Sequence, residues 1–275
     1  MSTLHLITDD QIKSLLESIV EIYGIDFREY APASLRRRIS SVLASERLES
    51  IRELEEQILR SPIHFQRFVH RVSVSVTSMF RDPSFYLAFR NEIVPMLATY
   101  PFIRIWHAGC SSGEEVYSMA IMLQEAGLDN RVRLYATDID ALSVEQAKAG
   151  IFPLSCMKEY SSNYLKSGGQ NSLSRYYTAD HENAVLASQL RNNIVFAQHN
   201  LASDSSFNEF HVILCRNVLI YFNDRLRERV LELLHDSLIT FGILCLGSKE
   251  SLRLDDIRAC YQQLIANEKV YKKVM

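Results

Sequence analysis

The chain has 275 residues, of which 47% are hydrophobic, and its formal net charge at neutral pH is −3. This apolar content is typical of a folded globular protein and argues against an intrinsically disordered chain. The small net charge leaves no overall basic footprint for nucleic acid, and no apolar run reaches the roughly 18 residues of a membrane-spanning helix.

The cysteines and the amino terminus favour a cytoplasmic protein. None of the five cysteines forms a CxxC pair, and three lie in apolar strand-like segments. We therefore expect buried free thiols in a reducing compartment. The first ten residues have neither the basic start nor the apolar run of a secretory signal. We expect a monomer that inserts into no membrane, and no His, Cys or Asp cluster has the spacing of metal ligands.

Residues 1–75 are predicted to form an all-helical domain. The sequence contains two capping boxes, in which a serine or threonine is followed three residues later by Gln or Glu, and each precedes apolar residues at helical spacing. A Ser-Pro pair predicts another helix start, because proline is tolerated at the first helical position. The predicted helices begin at or near Thr8, Ser34, Ser50 and Ser61.

The segment 76–100 is predicted to connect this domain to the rest of the chain. Val72–Met79 is rich in β-branched residues, which favour an extended backbone. Asp82 and Pro83 are predicted to cap and start a helix that runs to about Ala98.

From Phe102 onward, strand-like and helix-like patterns alternate along the chain. Such alternation predicts a doubly wound α/β fold, in which a mostly parallel sheet is covered by helices on both faces. The predicted helices lie near 114–126, 141–149 and 224–240. The predicted strands lie near 102–107, 132–137, 194–198, 211–215, 242–247 and 269–274.

One region interrupts this alternation. Segments Arg175–Thr178 and Ala184–Ala187 are predicted to pair as an antiparallel hairpin, in a small β-subdomain inserted at about residues 170–190. The α/β domain as a whole is predicted to span residues 101–275.

Two strand ends carry the clearest chemical signal. The first strand ends in the turn Gly109–Gly113, and the second ends in Asp138-Ile139-Asp140. In open α/β sheets, ligands bind at the carboxyl ends of the strands, and small residues allow the backbone to approach a ligand closely. Asp138 can accept hydrogen bonds from both hydroxyls of a ribose, whereas Asp140 is better placed to cap the following helix.

The first turn differs from a dinucleotide site. It reads G-x-x-x-G instead of G-x-G-x-x-G, and acidic residues follow it where a pyrophosphate would need bare amides. The pattern therefore favours a nucleoside that carries a cationic sulfonium, and it argues against a nucleotide-dependent dehydrogenase.

These two segments, together with three others, resemble the chemotaxis receptor methyltransferases, the CheR family. The other segments are Val76–Arg81, His199–Leu201 and Cys215–Phe222, and all five occur in order over most of the chain. The resemblance implies a class I methyltransferase-like fold that uses S-adenosyl-L-methionine and releases S-adenosyl-L-homocysteine. It also implies methylation of glutamate side chains in the cytoplasmic helical region of chemoreceptors, with segment 76–100 closing over the cofactor.

The resemblance implies roles for individual residues. Arg81 and Tyr221 are predicted to hold the reacting carboxylate, because a guanidinium binds a carboxylate through two hydrogen bonds and a phenol can donate one more. The carboxylate that Arg81 binds is either that of the substrate glutamate or the cofactor's own. Ser75 stands where the family usually has asparagine, so its shorter hydroxyl can keep one hydrogen bond and lose another. By similarity Glu115 faces the cofactor, although physical reasoning alone leaves the choice between Glu114 and Glu115 open. The predicted cofactor contacts are Ser75, Thr77, Arg81, Gly109, Glu115, Asp138, Asn200, Leu201, Arg216 and Asn217.

Other substrates and roles stay open at this point. Asn217–Tyr221 has the ends of the Asn-Pro-Pro-Tyr signature of amino-group methyltransferases but lacks both prolines, which argues against methylation of adenine or amines. The alternatives are a methyltransferase for another protein carboxylate or a small molecule, and a non-catalytic module that binds S-adenosylmethionine.

Two segments bear on how a receptor would be recognised. Arg36-Arg37-Arg38 lies on a predicted helix, and it is either a solvated face or, as in the family, a basic surface that docks on the acidic methylation region. Some family members bind a receptor's C-terminal pentapeptide through a loop with glycines and arginines. The corresponding stretch Tyr177–Leu186 contains neither residue type, so we expect no pentapeptide docking.

Overall fold

The computed structural model describes residues 7–73, 76–252 and 255–275. The amino-terminal part contains four helices, as predicted. Thr8 forms the complete capping box of the first helix, whereas at Ser50 only the serine half is present, because the Glu53 carboxylate accepts from the backbone of Glu49. The helices are α1 (Asp9–Tyr23), α2 (Pro32–Glu46), α3 (Ile51–Arg60) and α4 (Pro62–Val72).

The four helices enclose a core of their own. Leu15, Ile19, Phe27, Ile39 and Phe68 are fully or almost fully buried in it. Burial of each such side chain stabilises the fold by roughly 1.5–3 kcal/mol, so this part of the chain has a substantial hydrophobic driving force.

The connection to the second part differs from the prediction at Asp82. Its backbone lies in the left-handed region with φ 58°, and its side chain makes no capping hydrogen bond. The carboxylate instead binds a distant arginine, described below. The helix that follows runs as α5 (Pro83–Ala88), one π turn (Phe89–Ile93) and α6 (Val94–Leu97). Pro95 explains the π turn, because it has no N–H to donate to the carbonyl four residues earlier.

A seven-stranded sheet forms the centre of the molecule. Its strand order is β6-β2-β1-β7-β8-β10-β9, and among the described strands only β10 runs in the direction opposite to the other six. The order reverses between β1 and β7, which is where ligands bind in open α/β sheets. The strands are β1 (Ile103–Ala108), β2 (Val132–Asp138), β6 (Ile194–Gln198), β7 (Phe210–Cys215), β8 (Leu238–Leu246), β9 (Tyr261–Ile265) and β10 (Val270–Lys273).

Both faces of the sheet are buried, which confirms the predicted doubly wound class. Along β1, Ile105 packs into a core shared with α7, and the next residue, Trp106, packs into the opposite core shared with α10. The helices of this part are α7 (Glu114–Glu125), α8 (Ala141–Ala149), α9 (Met157–Lys166), α10 (Asp224–Asp236) and α11 (Asp255–Ala259). None of the helices in the described ranges is both long and apolar enough to cross a membrane.

A second, antiparallel sheet confirms the inserted β-subdomain, but it is larger than predicted. Its strand order is β3-β5-β4, with β3 (Ile151–Pro153), β4 (Tyr177–Asp180) and β5 (Asn183–Leu186). β3 lies outside the predicted range of 170–190 because a three-residue strand leaves almost no periodic pattern in a sequence.

Another predicted boundary was wrong near the carboxyl end. The helix expected over 224–240 ends at Asp236, and β8 begins at Leu238 instead of about residue 242. Ser237 is the residue that follows the helix, and its hydroxyl donates to the carbonyl of Leu233. Strand β9 was not predicted.

Candidate active site

One cavity at the carboxyl edge of the sheet brings the predicted residues together. The predicted site residues on its wall are Thr77, Arg81, Gly109, Glu115, Asp138, Asn200, Leu201, Arg216, Asn217 and Tyr221. Ser75 lies outside the described residues. Tyr30 and Arg38 from the helical part also line the cavity, so both parts of the chain contribute to it.

The ends of β1 and β2 form one wall of the cavity. Asp138 accepts hydrogen bonds from the backbone N–H groups of Ser111, at 2.8 Å, and Asp140, at 3.0 Å. Burial raises the pKa of the Asp138 carboxyl, and these two N–H donors oppose the rise. Gly109 has φ 84°, and a Cβ there would lie 2.5 Å from a methyl group of Val218, so only glycine fits.

The two consecutive glutamates of α7 face different environments. The Glu115 carboxylate lies at the cavity, where it contacts Nδ1 of His107 at 2.9 Å and a guanidinium nitrogen of Arg216 at 3.2 Å. Burial alone would raise its pKa, but these two neighbours outweigh that effect and lower the pKa. Glu114 accepts from Ser112 instead, and burial raises its pKa. The structure therefore places Glu115, and not Glu114, at the cavity.

Arg216 follows β7 and is the most enclosed cation of the site. Only 3% of its side chain is exposed, and its guanidinium joins Glu115 to the Oδ2 atom of Asp82, at 2.9 Å. It also lies 3.9 Å above the ring centre of Phe85. The contact between Arg216 and Asp82 explains the unpredicted conformation of Asp82, since a charge-assisted hydrogen bond to a buried arginine is stronger than a helix cap.

The segment before α5 presents Arg81 to the cavity. Arg81 donates a hydrogen bond of 2.7 Å to the carbonyl of Val76. The residue before it, Phe80, has φ 53°, a conformation that costs free energy in a non-glycine residue. Its backbone N–H donates to the hydroxyl of Ser118, at 2.8 Å, and its ring is fully buried. These contacts fix the conformation that points the segment at the cavity.

The turn after β6 supplies Asn200 and Leu201. The side-chain oxygen of Asn200 accepts from the backbone of Ala202, at 3.0 Å, as expected for an asparagine in a turn. Its Nδ2 group is buried without a partner, and it can therefore donate to a ligand. The side-chain oxygen therefore has a role in the turn, and binding of the cofactor by Nδ2 stays a prediction.

The arginine run of α2 divides into three environments. Arg36 binds Asp9 and the carbonyl of Ile7, and Arg37 is exposed. Arg38 turns towards the cavity, where its guanidinium lies 5.0 Å from the ring centre of Tyr221. Burial lowers the pKa of Arg38, and Tyr221 opposes this shift. Arg38 therefore does not share one exposed surface with Arg37, because the helical twist points consecutive residues in different directions. Docking of an acidic region on this run stays a prediction.

Sequence reasoning also missed how the helical part holds the Tyr221 segment. The N–H of Ala31 donates to the carbonyl of Tyr221, and the N–H of Asn223 donates to the carbonyl of Glu29, each at 2.9 Å. Between them, Tyr30 and Phe222 form an antiparallel bridge with their rings 5.1 Å apart. The pairing joins residues about 190 positions apart, so no local sequence pattern could predict it.

The polar atoms of the cavity fit a nucleoside that carries a positive charge. Ser111 Oγ, Asn200 Nδ2 and Arg216 Nε are buried without a hydrogen-bond partner, and such atoms are the ones a polar ligand satisfies. The Asp138 carboxylate can accept hydrogen bonds from ribose hydroxyls, and Glu115 adds a second carboxylate to the cavity. Among the described residues, no group of three or more His, Cys, Asp or Glu side chains is arranged to hold a metal ion.

Two models of one protein family match consecutive parts of the chain. The family model described as CheR methyltransferase, all-alpha domain, matches residues 10–73, and the model described as CheR methyltransferase, SAM binding domain, matches residues 75–266. A Pseudomonas putida protein whose name describes it as a methyltransferase, Cher3, is 45% identical over 266 residues, which is 97% of each chain.

More distant relatives carry a more specific name. A chemotaxis protein methyltransferase from Listeria monocytogenes is 26% identical over 83% of this chain and 85% of its own length. Chemotaxis protein methyltransferase 2 from Pseudomonas aeruginosa is 29% identical over 89% of this chain and 87% of its own length.

Proposed function

We propose that this chain, which belongs to the CheR methyltransferase family, methylates glutamate side-chain carboxylates of chemoreceptors. The chain is an S-adenosylmethionine-dependent methyltransferase, since it has the cofactor-binding domain of that family. The observation that carries the substrate class is that Arg81, Arg38 and Tyr221 line one cavity, with the Arg38 guanidinium 5.0 Å from the ring centre of Tyr221. Two guanidinium groups and a phenol are a suitable environment for a carboxylate.

The reaction needs no strong general base. A glutamate side chain has an ordinary pKa of about 4.3, so it is already ionised at neutral pH. When bound, S-adenosylmethionine supplies an electrophilic methyl group on a sulfonium. The task of the protein is to align the carboxylate oxygen with that methyl group and to exclude water. Positioning of this kind can lower a barrier by roughly 7–11 kcal/mol.

The residues divide between cofactor and substrate. We assign Asp138 to the ribose, Glu115 and Arg216 to the amino-acid end of the cofactor, and Asn200 with Leu201 to the base. Thr77, Gly109 and Asn217 complete the cofactor contacts. We assign Arg81 and Tyr221 to the reacting carboxylate, with Arg38 adding positive charge beside the phenol of Tyr221.

The partner we propose is the helical methylation region of a chemoreceptor. Arg37 is exposed on α2 and can attract an acidic helix, and Arg36 is partly neutralised by Asp9. Docking therefore depends on Arg37 more than on the run as a whole. Because Arg38 lies on the same helix and reaches the cavity, a receptor helix that docks on α2 would lie close to the reacting atoms.

In vitro methylation of a panel of receptor cytoplasmic domains tests this proposal. With labelled S-adenosylmethionine, we expect base-labile label on glutamates of at least one receptor, because glutamate methyl esters hydrolyse in base. Substitution of those glutamates by alanine should abolish the label. Label that is stable to base, or label only on small carboxylic acids, would contradict a receptor glutamate substrate. A protein that binds S-adenosylhomocysteine but labels nothing would indicate a binding module.

A further inference from the structure

A buried carboxylate outside the predicted set lies directly behind the Tyr221 segment. Glu250 follows β8 by four residues and is 5% exposed. Burying a carboxylate is costly unless hydrogen bonds compensate, so its position requires an explanation. None of the roles assigned above to the cofactor or the substrate involves this residue.

The Glu250 carboxylate accepts hydrogen bonds from the backbone of two segments. One oxygen accepts from the N–H of Gly247, at 2.6 Å, and from the N–H of Asn217, at 2.9 Å. The other oxygen accepts from the N–H of Ile220, at 3.3 Å. Two of these three donors belong to the segment 217–220, which ends immediately before Tyr221.

The segment that Glu250 holds has an unusual backbone. Asn217 has φ 62°, in the left-handed region that non-glycine residues seldom adopt. Such a conformation costs on the order of 1 kcal/mol or more and persists only where surrounding contacts fix it. The bond from the Asn217 N–H to a buried carboxylate is such a contact, because hydrogen bonds to charged groups are stronger than neutral ones.

Gly247 makes the close approach of the two segments possible. A Cβ at this position would lie 2.7 Å from the Glu250 carboxylate and 2.8 Å from the backbone nitrogen of Asn217. The end of β8 is therefore shaped to bring the Glu250 carboxylate against the segment that follows β7. From the other side, Ala31 donates to the carbonyl of Tyr221. The segment is thus held between the interior of the α/β part and the helical part.

We propose that Glu250 is a positioning residue for methyl transfer, which fixes the backbone of Asn217–Ile220 so that Tyr221 meets the reacting carboxylate in line with the methyl donor. This inference rests on the proposed function, because Tyr221 is assigned to the substrate there. Glu250 acts through the backbone and touches neither substrate nor cofactor.

The first experiment measures the segment without any substrate. In Glu250→Gln, an NH₂ group replaces one of the two oxygens and faces backbone N–H groups, so at least one hydrogen bond is lost. Amide hydrogen exchange, followed by mass spectrometry of peptides spanning 216–222, should be faster in this variant than in the unmodified protein. Glu228→Gln is the matched control. Glu228 and Glu250 both line a surface groove beside Leu219 and Ile220, but Glu228 is exposed. The control should leave exchange in this segment unchanged.

The second experiment measures turnover per active site. We expect Glu250→Gln to lower kcat for receptor methylation by roughly 10- to 100-fold, the loss that follows from misplacing a reacting group by about 1 Å. The stoichiometry of S-adenosylhomocysteine binding, measured by calorimetry, should stay near one per chain. It corrects kcat for any unfolded protein, so a purely structural defect would leave the corrected kcat unchanged.

A double-mutant cycle shows whether Glu250 acts through Tyr221. In a Tyr221→Phe background, Glu250→Gln should have much less effect on kcat than it has alone, because the group that it positions is already missing. Additive effects would overturn the proposal, as would unchanged exchange at 216–222 or an unchanged corrected kcat. If no receptor is methylated by the unmodified protein, the proposed function fails, and unchanged exchange would still overturn the role of Glu250 separately.

Discussion

The two sides of the cavity are built in different ways. The side that we assign to the cofactor contains Gly109, Asp138 and Asn200, which follow the neighbouring strands β1, β2 and β6. The side that we assign to the substrate contains Arg38, Arg81 and Tyr221, which come from α2, the segment before α5 and the segment after β7. Most residues assigned to the cofactor therefore follow strands of one sheet, whereas the substrate side depends on the packing of two parts of the chain.

This difference has a mechanistic meaning. Strand ends in a hydrogen-bonded sheet move little, so they can provide a preformed site for a cofactor. The substrate side has few regular elements and is held by individual contacts, such as the bond from Arg81 to the carbonyl of Val76 and the pairing of Tyr30 with Phe222. Substitutions on the substrate side should therefore change turnover, and substitutions on the cofactor side should change affinity for the cofactor.

The largest effect is expected on the substrate side. Arg81→Ala should lower kcat for receptor methylation by roughly 100- to 1,000-fold, the range seen when one preorganised group at a reacting centre is removed. Tyr221→Phe removes only a hydroxyl and should have a smaller effect of the same kind. Steady-state kinetics together with calorimetry of S-adenosylhomocysteine checks both variants.

A surface arginine provides the control for Arg81. Arg52 is 87% exposed on α3, and Arg52→Ala should leave kcat and cofactor affinity unchanged. If Arg81→Ala and Tyr221→Phe change only the dissociation constant of the cofactor, both residues belong to the cofactor side and the proposed division of the cavity is wrong.

The next largest effect is expected at Asp138. Asp138→Ala should weaken S-adenosylmethionine binding by about 1.5–3 kcal/mol, which is the contribution of a hydrogen bond to a charged group. This corresponds to a roughly 10- to 100-fold higher dissociation constant. The variant should still fold, which circular dichroism can verify, and an unchanged affinity would remove Asp138 from the site.

Acidification offers a second measure of the same residue. Burial raises the pKa of the Asp138 carboxyl above the value of about 3.9 for a free aspartate. Asp138 should therefore become protonated at a higher pH than a free aspartate does. The protonated carboxyl loses its negative charge, and cofactor affinity should therefore fall as pH decreases through this raised pKa. The pKa of Glu115 is lowered, so Glu115 stays ionised in that range. In Asp138→Asn, affinity should be weak and independent of pH there.

The third effect separates two neighbouring arginines. Arg38→Ala should lower kcat about tenfold, the loss expected for one hydrogen bond to a charged group, because Arg38 lies at the cavity beside Tyr221. Arg37→Glu should instead raise KM for the receptor a few-fold, and this effect should vanish at high salt, since exposed charges are screened over about 8 Å at physiological ionic strength. If both variants raise KM for the receptor equally, and both effects vanish at high salt, Arg37 and Arg38 act together as one basic docking surface.

The same comparison explains which features the sequence could predict. Gly109 and Asp138 follow apolar strands, and the hydrophobic pattern together with the rule for strand ends is enough to place them in a site. The conformation of Asp82 was not predictable, because it depends on Arg216, which lies 134 residues further along the chain. Glu250 was missed for the same reason, since its partners Asn217 and Ile220 follow a different strand.

Local patterns also fail where one residue changes the outcome. The run Arg36–Arg38 appears uniform as a sequence, but the rotation of about 100° per residue along a helix separates its members. Sequence reasoning can therefore predict the sheet and the strand ends that line the cavity, while the arrangement of Arg38, Arg81 and Tyr221 requires the tertiary contacts.

At the inserted β-subdomain we expect no effect, because a receptor-tail pentapeptide should not bind there. The strands β4 and β5 are joined by His181 and Glu182, and His181 has φ 51° without being glycine. The stretch Tyr177–Leu186 has neither glycine nor arginine, and the carboxylates of Asp180 and Glu182 would repel the terminal carboxylate of a receptor tail. A receptor-tail pentapeptide should therefore give no heat of binding in calorimetry, and receptors with and without that tail should be methylated at equal rates. Low-micromolar binding that is lost after substitutions within 178–184 would show instead that the subdomain recruits receptors, and recognition would then extend beyond the cavity and α2.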